Sequence, residues 1–366
     1  MMRNNTISIC KAIGIILMVI GHAGSPSFVG RFIYAFHMPL FFIASGYFFS
    51  TKNLDNKISF IKKRFKGLYI PFVKWSFIFL LLHNLLFKAN ILNARFGGTT
   101  LYSYKIILDK AFHILTTMGS YEPAILGTFW FLRSLFVASI VFCLLFYVID
   151  KLFHLKHINT ALIICFMAFA TGFVMSYMRI NLPYIPQGGI REIYGLFYIG
   201  VGFLFRNSRM DGKLKYDNLI LISSFIIVCL ISYFNPTSLS TNPKLKLYLG
   251  TFIPAIVGWI MTYKFSSWFD NVISENIIFV YIKKGLLYLG DNTMPIIVFH
   301  FISFKIVSFI KIAYYGYDPL MIACHPVISY HNEVFWIYYS IVGLVIPLLL
   351  NYLFLKIKYL RFLSFK

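Results

Sequence analysis

The sequence predicts an all-α integral membrane protein, a single bundle of about ten transmembrane helices that occupies residues 1–366. Hydrophobic residues make up 59% of the chain and charged residues only 13%, and the mean hydropathy is +0.75. Apolar segments of about twenty residues, the length that crosses a bilayer as a helix, recur along the whole sequence. Because short loops join most of these segments, we expect one polytopic membrane domain.

Ten segments are long and apolar enough to be predicted as spans. They are about 7–24, 31–49, 68–87, 128–149, 159–178, 190–205, 218–234, 247–263, 286–310 and 333–355. The short turn at 25–30 makes the first two spans a helical hairpin. The connection 88–127 is long enough to hold an interfacial helix, and the alternating polar and apolar residues of 268–284 indicate another.

The basic residues fix the expected orientation. The formal net charge is +22, and the segments that face the cytosol, if the N-terminus is cytosolic, hold about twice as many lysines and arginines as the others. The positive-inside rule therefore predicts that both termini are cytosolic. In such a protein the charge serves topology, so we expect no nucleic-acid partner. The five cysteines show no paired spacing, which indicates neither a disulfide framework nor a zinc site.

The first span carries an ionisable group near each end. In a helix, the eleven residues from Lys11 to His22 make about three turns plus 20°, so both side chains share one face, roughly 16 Å apart along the axis. Ionisable groups are costly in hydrocarbon and usually mark functional sites. The hairpin also brings His37 to a depth similar to that of His22. Imidazole is the usual general base near neutral pH, so we predict His22 and His37 as catalytic residues.

Other histidines and one cation–aromatic pair are weaker candidates. His300 lies within an apolar span and is predicted to line a substrate pocket, whereas His325 and His331 fall in a predicted outer loop, where solvated side chains are expected. Trp130 and Arg133 lie one helical turn apart at the start of a span. They either line the pocket or anchor the helix at the membrane interface.

Cations cluster immediately before the third span. Lys63, Arg64 and Lys66 lie on its predicted cytosolic side. One interpretation is topology, with contacts to anionic lipid. The other is a site for the phosphates of a nucleotide-like donor, because several cations there would make charge-assisted hydrogen bonds. No Walker or Rossmann glycine pattern is present, so side chains would have to build that site.

Taken together, five motifs resemble the membrane acyltransferase-3 family. Lys11 and His22, with ten residues between them, match its basic-X10-His motif. The other four motifs are Phe-His-Met-Pro-Leu-Phe-Phe at 36–42 followed by Ser-Gly-Tyr-Phe-Phe at 45–49, the basic stretch at 64–71, Phe-Trp-Phe-Leu at 129–132, and the histidine-bearing segment 289–300. The resemblance covers essentially the whole chain.

The resemblance implies about ten spans in a bacterial inner membrane. It also implies acyl transfer, usually of acetyl from acetyl-CoA, to a sugar hydroxyl of a surface polysaccharide or of its lipid-linked precursor. Acyl-CoA would be a co-substrate and not a bound cofactor, and membrane lipids would surround the protein. The family often has an aspartate three residues before the basic residue, where this chain has Ser8. Serine can bond to Lys11 but cannot neutralise its charge.

Roles for individual residues follow from these motifs. His22 would be the general base for the sugar hydroxyl, or a transient acyl carrier, and His37 would orient His22 or the acceptor. Binding of the coenzyme from the cytosolic side is expected at Lys11, Lys63, Arg64 and Lys66, and a substrate pocket at Trp130, Arg133 and His300.

Two functions from other classes stay open at this point. A transporter or flippase for lipid-linked sugars would use His22 and His37 as proton or substrate sites, although such proteins often contain internal repeats and this sequence shows none. An inactive scaffold for an envelope assembly is the other alternative, which Ser8 keeps open.

Overall fold

A computed structural model describes residues 4–183, 185–212, 216–239, 248–272 and 276–365. Those residues form helices joined by loops and contain no β-strand, so the all-α prediction is confirmed. The helices are α1 (Asn5–His22), α2 (Ser27–Tyr47), α3 (Lys52–Asp55), α4 (Lys57–Arg64), α5 (Ile70–Lys88), α6 (Ala94–Gly97), α7 (Tyr104–Thr117), α8 (Pro123–Leu126), α9 (Phe129–Phe153), α10 (His157–Met178), α11 (Ile190–Asn207), α12 (Asp217–Phe234), α13 (Tyr248–Asn271), α14 (Ile277–Asp291), α15 (Thr293–Tyr315) and α16 (Phe335–Lys356).

Within the described ranges, 8 helical segments are long and apolar enough to cross a membrane. They are α1, α2, the continuous run Lys57–Lys88, α9, α10, α12, α15 and α16. The predicted spans 190–205 and 247–263 are also helical, as α11 and α13, but they are not among the eight. Helix α11 carries Arg191, Glu192 and Arg206. The chain is thus a multi-pass membrane protein, and the count of ten spans stays a prediction.

Two predicted boundaries are wrong. The span expected at 286–310 is broken at Asn292, where α14 ends and α15 begins. Proline lacks a backbone N–H and is favoured in the first turn of a helix, and Pro295 is the third residue of α15. The single helix expected at 268–284 is instead the end of α13 and the start of α14, and residues 273–275 lie outside the described ranges. The helix expected within 88–127 is present as α7.

The chain divides into two compact units, each assembled from three stretches of sequence. Unit 1 consists of Met1–Gly14, Arg31–Leu68 and Ser134–Asp291. Unit 2 consists of Ile15–Gly30, Tyr69–Arg133 and Asn292–Lys366. Helices α1, α2 and α9 each contribute residues to both units. The single domain predicted from the sequence stays a prediction.

Unit 1 is held by a close crossing of α2 and α11. A Cβ atom at Gly46 would overlap the carbonyl oxygen of Ile199, and one at Gly202 would overlap that of Ile43. The two backbones therefore touch where the glycines lie, as small residues permit between membrane helices. The position of α2 against α11 is fixed by this contact.

In unit 2, α15 is almost surrounded by protein. Its neighbours include α16 and α8. Phe304 packs against Gly343 of α16 so closely that a Cβ there would overlap the ring. The hydroxyl of Thr128 donates to the carbonyl of Ile297 at 3.1 Å, and Trp75 meets Phe299 edge-on at 4.7 Å between ring centroids. These contacts fix the rotation of α15, which carries one histidine and two lysines into the interior.

Candidate active site

Two histidines stack on each other inside unit 2. His22 is the last residue of α1, and its ring lies 5.4 Å from that of His300 on α15, with an angle of 22° between the planes. Phe301 lies against both rings, at 5.0 Å from His22 and 4.0 Å from His300. Aromatic pairs at such distances attract each other. We refer to His22 and His300 as the histidine pair.

The protonation of His300 follows from its hydrogen bond. His300 is 0% exposed, and its Nδ1 lies 2.8 Å from the carbonyl oxygen of Ile296, one turn earlier in α15. A carbonyl oxygen only accepts, so we infer that Nδ1 carries the hydrogen and donates it. Nε2 then holds a lone pair. That buried atom has no hydrogen-bond partner within the described ranges, so its capacity to accept a hydrogen bond is unused there.

The close stacking also limits the charge of the histidine pair. Two positive charges at the observed 5.4 Å repel each other by about 3 kcal/mol at an effective dielectric constant of about 20. The pair therefore favours holding a single proton. Such an arrangement suits general-base catalysis, in which one imidazole gains a proton and its neighbour stays neutral. No three potential metal ligands converge in the part of the chain that the structure describes.

The loop between α15 and α16 adds a third histidine. The ring of His325 lies 4.7 Å from that of Phe301, the phenylalanine that the histidine pair also contacts. Its side chain is accessible to solvent, as the sequence predicts for this loop. Partial burial and the nearby Lys305 ammonium lower the pKa of His325 to about 4. His325 is therefore neutral at pH 7 and can donate or accept a hydrogen bond.

A buried lysine fastens this loop. Lys311 of α15 is 0% exposed, and its ammonium donates to the carbonyl of Ile328 at 2.9 Å and to the amide oxygen of Asn332 at 3.2 Å. The Asn332 amide group in turn donates to the carbonyls of Ala23 and Gly24, at 3.1 and 2.8 Å. The loop is thereby joined to the turn that follows α1, beside the histidine pair.

A second polar cluster lies in the segment between α5 and α9. In the buried His83 ring, Nδ1 lies 2.7 Å from a carboxylate oxygen of Glu122, and Nε2 lies 2.9 Å from the carbonyl oxygen of Thr100. The hydroxyl of Tyr102 donates to the same carboxylate oxygen at 2.9 Å. Burial and the neighbouring Glu122 carboxylate raise the pKa of the Tyr102 hydroxyl. This cluster ties the segment to α5, and no motif in the sequence points to it.

The predicted donor-site residues belong to unit 1. Lys63 and Lys66 are exposed, and Lys11 is half-buried on α1. Arg64 differs, because its guanidinium donates to the hydroxyl of Ser45 at 2.9 Å and lies 5.0 Å from the centre of the Phe60 ring. Two cations of the cluster thus face outward, whereas Arg64 contacts α2.

The position where the family often has an aspartate is also in unit 1. The hydroxyl of Ser8 donates to the carboxylate of Asp291 at 2.9 Å. A Cβ at Gly290 would overlap the carbonyl oxygen of Ser8, so the end of α14 lies directly against α1. A carboxylate is therefore present beside Ser8, one helical turn from Lys11, but it comes from a distant part of the sequence.

His37 is buried in unit 1. Its Nδ1 lies 2.8 Å from the carbonyl of Ile33, and its ring meets that of Tyr34 edge-on at 5.4 Å. His22, by contrast, belongs to unit 2. The pairing of His37 with His22 therefore stays a prediction, whereas the contact between His22 and His300 is directly visible.

Trp130 and Arg133 lie at the start of α9, in unit 2. Arg133 is only 4% exposed, and Trp130 is half-buried. An interfacial anchor extends its charge to water, so the burial of Arg133 favours a role inside the protein over the anchor interpretation. Their place in a substrate pocket stays a prediction. Together the helices and the histidine pair define a multi-pass membrane protein with buried groups suited to proton transfer.

Comparison with known proteins agrees with that class. The family described as "Acyltransferase domain" matches residues 4–356, and the chain belongs to this family, as its motifs predicted. Nodulation protein NolL of Sinorhizobium fredii (strain NBRC 101917 / NGR234) is 27% identical over 247 residues, which cover 62% of this chain and 56% of NolL. The chain thus matches little more than half of that relative's length. No solved structure gives a significant match.

Proposed function

We propose that the protein is an O-acyltransferase of the bacterial cytoplasmic membrane. It moves an acyl group, acetyl in the simplest case, from acyl-CoA to a sugar hydroxyl of a surface polysaccharide or lipid-linked glycan. Membership of the acyltransferase family supports the reaction class. The observation that carries the proposal is the stacking of His22 on His300, because a hydroxyl needs a base before it attacks a thioester.

The reaction needs a proton acceptor. His22 removes the hydroxyl proton as the sugar oxygen attacks the thioester carbonyl. The new carbon–oxygen bond forms, the carbon–sulfur bond breaks, and the proton passes from His22 to the departing thiolate of CoA. General-base assistance of this kind typically contributes 10²–10⁴-fold to the rate.

His300 positions the sugar in this mechanism. Its Nε2 lone pair accepts a hydrogen bond from a hydroxyl next to the one that reacts. The bond from Nδ1 to the Ile296 carbonyl fixes the ring orientation and leaves Nε2 as the acceptor. Neighbouring hydroxyls are common to sugars, so this contact determines which of them meets His22.

Lys63 and Lys66 bind the phosphates of the donor in this proposal. Replacing both by glutamine is expected to raise the KM for acetyl-CoA on the order of 10-fold, because charge-assisted contacts to phosphate are lost. The KM for the acceptor should not change. Lys105→Gln is the matched control, since Lys105 is an exposed lysine on α7, far from this cluster in sequence. A change confined to the acceptor KM would remove the cluster from the donor site.

The function itself is tested on the surface glycan. Mass spectrometry compares glycan from the parent strain, a strain that lacks the gene, and a complemented strain. We expect the ester-linked acyl group to disappear without the gene and to return on complementation. Glycan that keeps its acyl groups but no longer reaches the surface would support a transporter and contradict the proposal.

A further inference from the structure

A second buried lysine of α15, five residues after His300, has few partners. Lys305 is 6% exposed, and its ammonium donates to the carbonyl of Cys324 at 2.8 Å. An ammonium has three hydrogens to donate. No carboxylate lies within ion-pair distance of Lys305 in the described ranges. Burying a charge is costly unless something compensates it, so a lysine held by one carbonyl points to an anionic ligand.

Lys311, two turns further along α15, shows the contrast. It is equally buried, but it donates to two oxygens, and the rings of Phe335 and Tyr339 lie 4.9 and 5.9 Å from its ammonium. Lys311 therefore has a structural role in holding the loop. Lys305 contacts the same loop through a single hydrogen bond, to the Cys324 carbonyl. In the described ranges, two of its three ammonium hydrogens therefore make no hydrogen bond.

Glu122 is an acid that acts on His325, but it has other partners. Its carboxylate already accepts from Tyr102 and contacts His83. The Glu122 carboxylate therefore has partners of its own and forms no ion pair with the Lys305 ammonium in the described ranges.

Solvent reaches the loop next to Lys305. His325 lies next in sequence to Cys324, whose carbonyl accepts from Lys305, and the His325 side chain is exposed to solvent. The His325 ring contacts Phe301, which also contacts His22. The accessible imidazole and the histidine pair thus contact one phenylalanine, and the Lys305 ammonium bonds to the residue that precedes this imidazole.

We propose that Lys305 and His325 form a subsite for an anionic group on the acceptor, a phosphate or a carboxylate attached to the sugar that is acylated. The proposal rests on the proposed function for the word acceptor, but the anion site itself does not depend on it. Lys305 supplies the charge and His325 a hydrogen bond. An anion held there places the sugar against Phe301, beside the histidine pair.

Binding tests this subsite without any acyl transfer. The full-length protein in lipid nanodiscs is titrated with glucose 1-phosphate, glucuronate and methyl glucoside, and heat is measured. We expect at least one of the two anions to bind on the order of 10-fold more tightly than the neutral glucoside. The anion that binds more tightly identifies the class of acceptor, which is a sugar phosphate for glucose 1-phosphate and an acidic sugar for glucuronate. Equal binding of all three ligands would overturn the proposal.

Variants locate the site. Lys305→Met should abolish the preference for the anion, and Lys305→Arg should keep it, because charge and not exact shape is required. Lys105→Met is the control, an exposed lysine on α7 outside the subsite whose loss should leave the preference intact. His325→Ala, in an accessible loop, should weaken anion binding in a protein that still folds. An anion preference that survives both Lys305→Met and His325→Ala would contradict the assignment.

The two proposals fail in different ways. If wild-type protein prefers the anion but does not consume acetyl-CoA, the proposed function fails and the anion subsite stands. If the wild-type protein consumes acetyl-CoA but binds anions no more tightly than the neutral glucoside, the anion subsite fails and the proposed function stands.

Discussion

Protein with His22→Gln is expected to lose acyl transfer by about 10²-fold or more. Glutamine keeps a hydrogen-bonding group near the position of Nε2 but cannot take up a proton, so the general-base contribution disappears. Membrane insertion should not change, because it depends on the apolar spans and not on one polar group at the end of α1. The rate is measured as acceptor-dependent release of CoA from acetyl-CoA.

Two measurements make the His22→Gln result specific. The affinity for acetyl-CoA should stay at the wild-type value, since the proposed donor contacts come from Lys63 and Lys66. His22→Ala should be as inactive as His22→Gln. If glutamine restored most of the activity that alanine loses, the role of His22 would be hydrogen bonding and not proton transfer.

His300→Asn is expected to lower kcat/KM for the acceptor by about 10- to 100-fold. The asparagine amide can still donate to the Ile296 carbonyl, as Nδ1 does now at 2.8 Å, but the acceptor atom Nε2 is gone. A lost hydrogen bond to a hydroxyl accounts for up to about 10-fold, and misplacement of the reacting hydroxyl adds to that. The KM for acetyl-CoA should be unaffected.

His113→Asn is the matched control for this change. His113 lies on α7 with its side chain 37% exposed, and its replacement should leave both KM values unchanged. A fall in the acetyl-CoA affinity of His300→Asn, with acceptor kinetics intact, would place His300 at the donor and contradict its positioning role.

The sequence predicted most helices because their signal is local. Apolar runs of the right length identify α1, α2, α9, α10 and α15 without any knowledge of their neighbours. Hydropathy does not reveal the break between α14 and α15, because the apolar runs 286–289 and 294–299 outweigh the three polar residues between them, Asp291, Asn292 and Thr293. Pro295 was the available signal, since proline favours the first turn of a helix.

The candidate active site also shows that sequence signals are local. Spacing within one helix identified His22, but its stacking partner His300 lies 278 positions away, and only folding brings them together. The sequence therefore favoured His37, the nearer histidine. His325 was expected to be solvated, which its exposure bears out, but its contact with Phe301 was not foreseen. Lys305 carried a usable signal, because a lysine within an apolar span is itself unusual.

Ser8 illustrates what folding can restore. From the sequence, the missing aspartate left open whether the chain is active. The fold brings Asp291 to the Ser8 hydroxyl at 2.9 Å, so a negative charge is present beside α1 although it is absent from that stretch of sequence. This contact removes the principal sequence argument for an inactive scaffold.

The central claim is that His22 serves as the base of an acyltransferase. The most direct measurement is transfer of labelled acetyl from acetyl-CoA to glycan extracted from a strain that lacks the gene, by purified protein in proteoliposomes. The account predicts labelled glycan with wild-type protein and at least about 10²-fold less with a correctly inserted His22→Gln protein. Equal labelling by the two proteins would contradict it.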